Sequence, residues 1–478
     1  MNKFKKAYTV MPEPTKAALF FTLCNFLQRG ISLVTSPIFT RILTTEQYGV
    51  FTIFNSWYNV ISVFATFNLS YGVFITGLTK FEDDRNRFSS SMLGLSTVIT
   101  GVCLSVYLVS TDFWNKLFGL NTLLVLAMFF ELLFAPAFAF WSNIQRNEYK
   151  YKALVLVTII MSLANPLLGI LTVVSTDYKA EARILSMVLV QACIGLVFYV
   201  LLFKRGKQFY SKKYWKYALA FNIPLIPHYL SMTLLQQTDR IMINNFFGTS
   251  EAAIYGVAYT VATMMKLVTT AINNSFTPYT YQSLKTHKYH GIRSTANLLL
   301  LLVGAGCIFA MAFGPEIIMI LAPREYHDAI WIIPPVAVSV YFMFLYPLFG
   351  NIEFYYEKTK FTMLASCCGT GLNIILNYIF IRKYGYFAAG YTTLVCYILF
   401  ALAHYIAFST IIKEKGIVEK IYDIRFMVMY SLCLIALMLV VLFTYKLIII
   451  RYGIIFIILL LMLLNRKRII IELGKLKK

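Results

Sequence analysis

Residues 236–257 read QQTDRIMINNFFGTSEAAIYGV, and the fold turns on how this stretch is read. An adjacent acid and base, Asp239 and Arg240, close an apolar run, and the string TSEAAIYGV (249–257) then opens the next one. Near the N-terminus the string TTEQYGV (44–50) holds the same position, between the first apolar run and the second. The shared string predicts an internal repeat whose second copy begins close to residue 217.

Working outward, 59% of the 478 residues are hydrophobic and only 13% are charged, the composition of a polytopic membrane protein. A helix needs about 20 apolar residues to cross the hydrocarbon. Fourteen stretches qualify: 17–43, 48–76, 89–110, 121–141, 153–175, 182–203, 217–246, 252–280, 294–313, 329–351, 361–381, 386–411, 426–445 and 447–464. The first follows a basic N-terminus but lacks a small-residue cleavage site, so it is expected to be a membrane helix and not a removed leader. The eight cysteines all lie in apolar segments without a CxxC pair, which implies neither a disulfide framework nor a metal site.

The net charge of +22 is distributed between the apolar blocks and not over one soluble face, which argues against nucleic acid. With the N-terminus in the cytoplasm, 31 of the 43 Lys and Arg residues fall on the cytoplasmic side and 8 outside, leaving Arg29, Arg183, Arg240 and Lys266 within spans. That asymmetry predicts both termini to be cytoplasmic. The basic loop KRGKQFYSKKYWK (204–216) divides the chain. The expected organisation is an N-terminal lobe (1–203), a cytoplasmic linker (204–216), a C-terminal lobe (217–411), then two further helices and a basic tail (412–478). The fold class is thus all-α, with two six-helix lobes as parallel repeats and a binding site between them.

Four of the spans carry polar stripes at helical spacing. In the first, Thr22, Asn25, Arg29, Ser32 and Ser36 share a face, with Gln28 beside it; the second adds Asn55 and Asn59. Gln236, Arg240 and Asn244 line up in the seventh, as do Lys266, Thr270 and Asn273 in the eighth. A cation at mid-membrane costs at least ~2.5 kcal/mol on insertion scales, so Arg29 and Lys266 need a function or a partner. A hydrated cationic cavity expects an anion, and the forked donors of arginine match phosphate oxygens. The amides and hydroxyls around it suit a sugar. Glu131 stands in mid-span, either as a coupling acid or as a structural partner of Arg183, and His404 reads as a packed core histidine. No GxxxxGK[ST] loop is present and the external loops are short, so a transporter without cofactor is expected over an enzyme.

Several strings together, SPIFTRILTTEQYGVF (36–51), KFEDDRNRFSSS (80–91), TDRIMINNFFGTSEAAIYGVAY (238–259) and RKYGYFAAGYTT (382–393), make the chain resemble the Wzx-type oligosaccharide flippases. These belong to the multidrug/oligosaccharidyl-lipid/polysaccharide exporter superfamily. The resemblance implies two six-helix lobes plus two C-terminal helices in the bacterial cytoplasmic membrane. It also implies transfer of undecaprenyl-diphosphate-linked oligosaccharide to the outer leaflet by alternating access, for capsule, O-antigen or a related envelope polysaccharide. The basic cavity residues of such flippases would fall on Arg29 and Lys266. Membrane lipids, and a polymerase and glycosyltransferases of the same pathway, would be the partners of a monomer. A cation-coupled drug exporter of the same superfamily is an alternative, as is a membrane-bound polymerase or ligase. The acidic ion sites of the drug exporters are not recognisable here. Residues Asp239 and Arg240 point about 100° apart on their helix. Arg240 continues the polar stripe, while Asp239 is free to act as a gate or latch with a cation such as Arg41.

Overall fold

The computed structural model describes residues 12–464, and among them there are helices and turns but no strand. The chain forms two compact units, Met1–Gln237 and Thr238–Lys478. The first holds α1 (Glu13–Ile42), α2 (Thr45–Thr66), α3 (Gly72–Lys80), α4 (Arg85–Val109), α5 (Thr111–Phe118), α6 (Thr122–Asn147), α7 (Tyr151–Val174), α8 (Lys179–Gly206), α9 (Lys212–Asn222) and the first half of α10 (Ile226–Phe247). The second holds the rest of α10, α11 (Thr249–Lys285), α12 (Tyr289–Ala312), α13 (Gly314–Leu321), α14 (Ile333–Tyr355), α15 (Thr359–Tyr384), α16 (Ala388–Glu414), α17 (Ile424–Thr444) and α18 (Ile448–Leu464).

With α9 and α10 taken as one, 12 helical stretches among the described residues are long and apolar enough to cross a membrane. Helix α2 has the length but carries the Asn/Ser/Thr stripe, and α18 is apolar apart from Arg451 but has 17 residues. These two complete the expected fourteen.

The expected span 48–76 is not continuous. Helix α2 stops where Phe67 and Asn68 take the left-handed conformation, with φ of 47° and 52°, and the chain turns before α3. A break of this kind frees carbonyls that lipid cannot hydrogen-bond. Side-chain amides answer them: Asn222 Nδ2 donates to the Phe67 carbonyl at 2.6 Å and Asn143 Nδ2 to the Ser70 carbonyl at 2.6 Å. The expected span 217–246 also divides, at the 3-10 turn Ile223–Leu225, where Pro224 and Pro227 withhold backbone donors. Asn222 closes α9 just before that turn, so a residue beside one interruption donates to a carbonyl at the other.

Segment 204–216, expected as the linker, lies within the first unit. The Tyr214 hydroxyl donates to Asp84 Oδ2 at 3.2 Å, and Trp215 Nε1 to the Ser91 carbonyl at 2.9 Å. Tyr214 and Ala218 are also buried in an apolar cluster with Phe74, Phe88 and Phe140.

Each of the two similar strings opens a helix, with different caps. Thr44 caps α2 by accepting from the Gln47 amide at 3.2 Å, while Gln47 Oε1 accepts from the Thr44 amide at 3.1 Å. At the second copy, Gly248 with φ 113° makes the short turn into α11. The dominant helix pair of the first unit is α6 on α8, its fourth and sixth spans; in the second unit it is α14 on α16, again the fourth and sixth. Gly195 permits the first contact, since a Cβ there would come within 2.5 Å of the Phe134 backbone. Arg451 is buried within α18 and pairs with Glu316 of α13, which also accepts from the Tyr452 hydroxyl at 2.9 Å.

Replacing Asn222 by Leu removes the donor to Phe67 and leaves a buried carbonyl unpaired, at a cost of about 1–3 kcal/mol. The expected result is a lower apparent melting temperature of the detergent-solubilised protein, and a wild-type melting curve would refute the role of this amide.

Candidate functional site

In the first unit, the stripe of α1 borders a cavity of ≈ 320 Å³ closed by α7 and α8. Gln28 and Arg29 line it, both exposed, with Ser32 and Thr35 further along the same helix. Neither Arg29 nor Arg183 has an ion pair among the described residues. The side chain of Asn25 lies outside the described residues. Asn55 and Asn59 do not reach this cavity's wall; their amides donate to the Phe51 and Asn55 carbonyls of their own helix at 2.8 and 2.7 Å. The stripe on α2 is therefore largely self-satisfied, although each side-chain oxygen keeps its acceptor capacity.

Arg183 is the cavity residue that sequence reasoning mis-partnered. Among the described residues it makes no ion pair with Glu131. Its guanidinium lies over the Phe39 and Phe51 rings, 4.1 and 4.6 Å from their centroids, and Nη1 donates to Asn165 Oδ1 at 3.0 Å. Glu131 is buried against the Tyr58 hydroxyl, and its Oε2 has no hydrogen-bond partner. Arg41, exposed at the end of α1, donates from Nη1 to the Pro37 carbonyl at 2.9 Å.

In the second unit the polar residues converge on Asp239, which is 2% exposed. Its carboxylate accepts from the Tyr255 hydroxyl at 2.5 Å, from Thr393 Oγ1 at 2.7 Å and from Asn377 Nδ2 at 2.6 Å. Asn377 in turn accepts from Thr392 and donates to Asn373 Oδ1 at 3.2 Å. Four helices, α10, α11, α15 and α16, thus meet at one carboxylate. The adjacent Arg240 sits 4.4 Å from the Tyr259 ring centroid. Gln236 Nε2 donates to the Met232 carbonyl at 3.0 Å.

Lys266 stands near the middle of the 37-residue α11, and Thr270 donates to its carbonyl at 2.7 Å. Asn273 is engaged with α14, where Asn351 Nδ2 reaches its Oδ1 at 3.3 Å and Thr277 Oγ1 reaches Asn351 Oδ1 at 3.1 Å. The expected core histidine has a specific partner that the sequence did not reveal: His404 Nδ1 lies 2.7 Å from Glu353 Oε1, and Thr362 donates to Oε2 of the same carboxyl at 2.8 Å. Glu353 and His404 are 0% and 1% exposed. Glu353 was missed because it stands beyond the predicted end of its span, which the structure extends by a turn to Tyr355. No group of three or more His, Cys, Asp and Glu side chains suited to a metal ion occurs among the described residues.

The helical architecture defines the class, a multi-pass membrane protein with the fold shared by flippases and multidrug exporters. Lipid II flippase MurJ in an inward closed conformation aligns over 94% of this chain and 100% of its own, with a TM-score of 0.74 at 15% identity. An inward-facing multidrug resistance transporter of the MATE family aligns over 82% of this chain and 96% of its own, with a TM-score of 0.65 at 14% identity. The chain belongs to the polysaccharide biosynthesis protein family, whose model matches residues 15–283. The MatE model matches residues 224–379. The Lsg locus putative protein 1 of Haemophilus influenzae is 27% identical over 208 residues, or 40% of this chain and 49% of that protein. An uncharacterized membrane protein of the same organism is 25% identical over 197 residues, so the chain spans about half the length of the curated relatives it matches.

Removing the carboxyl that both His404 and Thr362 address leaves the buried imidazole and the Thr362 hydroxyl without this partner. Glu353→Ala is expected to destabilise the second unit by about 1–3 kcal/mol, read as reduced monodisperse yield and a lower melting temperature, whereas wild-type values would remove the structural importance of this pair.

Proposed function

We propose that the chain carries a polyprenyl-diphosphate-linked oligosaccharide from the cytoplasmic to the outer leaflet by alternating access, with undecaprenyl as the carrier and both termini in the cytoplasm. The observation that carries this reading is Arg29, a membrane-helix cation without an ion pair among the described residues, on a cavity whose lining includes the amides of Gln28, Asn165 and Gln191 and the hydroxyls of Ser32, Thr35 and Ser162. Membership of the polysaccharide biosynthesis protein family supports the substrate class. Arg29 and Lys266 bind the diphosphate on this reading, with Gln28, Asn25, Asn55, Asn59, Gln236, Arg240, Thr270 and Asn273 serving the sugars.

The buried carboxylate of Asp239 is the coupling element. Its donors come from α11, α15 and α16, so a change in its charge or occupancy bears on four helices at once. Glu131 and Arg41 are secondary candidates for coupling and for an external gate.

In cells lacking the chromosomal copy, Arg29→Ala or Lys266→Ala is expected to reduce surface polysaccharide at least tenfold, with lipid-linked units accumulating at normal membrane levels of the protein. Unchanged output would overturn the substrate assignment. Asp239→Asn preserves shape but removes charge, and it is expected to stop export while the purified variant melts within a few degrees of wild type. Normal export by that variant would remove the coupling role.

A further inference from the structure

The cavity between α1, α7 and α8 holds two guanidinium groups and no carboxylate among its lining residues. Arg29 is exposed and Arg183 is 7% exposed, so the cavity runs from an accessible cation to a buried one. Desolvating an arginine in a membrane protein is costly. The Phe39 and Phe51 rings offset part of that cost by about 2 kcal/mol for a desolvated contact, and they also pin the guanidinium in one orientation. Asn165 takes a single donor of the five, and the buried Nε has no hydrogen-bond partner. A buried fork held rigid and incompletely satisfied is the arrangement that binds a planar or tetrahedral oxyanion bidentately.

The remaining wall is uncharged, with Ser32, Ser162, Asn165 and Gln191 set beside the apolar Ile31, Met161 and Pro166. A volume of ≈ 320 Å³ falls at the low end of small-molecule pockets, roughly 300–1,000 Å³. It suits one sugar residue with its anionic substituent and not a whole repeat unit.

We infer that Arg183 is the buried clamp of an oxyanion subsite within the N-terminal unit, in which Arg29 guides the anion inward and Gln191 and Ser162 hydrogen-bond the attached sugar. The inference deepens the flippase reading and rests on it for the identity of the ligand, which is either the carrier's diphosphate or an acidic group on the glycan. The pocket itself exists independently of transport.

The test uses the full-length purified protein in detergent at low ionic strength, with titration calorimetry of pyrophosphate, glucuronate and glucose. Binding of pyrophosphate or glucuronate, stronger than glucose and weakening as salt is raised, is expected. Pyrophosphate alone identifies the carrier as the source of the anion; glucuronate identifies the glycan. R183Q is expected to weaken anion binding at least tenfold and R183K to a lesser degree, because lysine restores charge without the fork. Q191L leaves both cations in place and guards against misfolding of the arginine variants; it is expected to weaken glucuronate more than pyrophosphate. Absence of anion binding to the wild type, or anion affinity unchanged in R183Q, would overturn the subsite. Because binding is measured without transport, loss of the flippase reading in cells leaves this outcome separately legible.

Discussion

Every backbone carbonyl and amide that a helix gives up inside a bilayer must find a partner from the protein itself, since lipid offers none. Most of this chain obeys that constraint by remaining helical. Where it does not, at Phe67–Ser70 and at Ile223–Leu225, the protein supplies asparagine amides and proline. Asn222 and Asn143 are therefore fixed by what the neighbouring helix lacks. Their position also explains why α9 and the first half of α10 pack within the first unit, although the topology counts them with the seventh span.

The same demand applied to side chains separates the charges into two groups. Asp239, Glu353 and Glu316 each accept from side chains of other helices, and each ties together elements far apart in sequence. Asp239 differs from the other two in gathering four helices at one point. Arg29 and Arg183 follow the opposite pattern, with aromatic faces or open space where a carboxylate would stand. Among the described residues, neither of these two arginines has an ion pair.

Much of this was legible in the sequence. The long apolar runs and the different headings of Asp239 and Arg240, about 100° apart, follow from composition and helical geometry alone. The break in the second span was not, because Phe67 and Asn68 carry no glycine or proline to announce a left-handed turn. Polar stripes proved ambiguous for a physical reason: on α2 the amides and hydroxyls fold back onto carbonyls of the preceding turn, which periodicity cannot tell apart from a wet face. Partners of buried charges were the least accessible. The sequence allowed Arg183 to join Glu131, whereas the structure gives one to two phenyl rings and an amide and the other to a tyrosine.

The single amide of Asn222 has a mechanical consequence. It stands at the interruption of one helix and holds the interruption of another, so neither break flexes alone without stretching a 2.6 Å hydrogen bond. Two potential creases in the first unit are thereby stitched into one fold line. Any bending motion the unit undergoes there is shared between α2–α3 and α9–α10, with the amplitude of one setting that of the other.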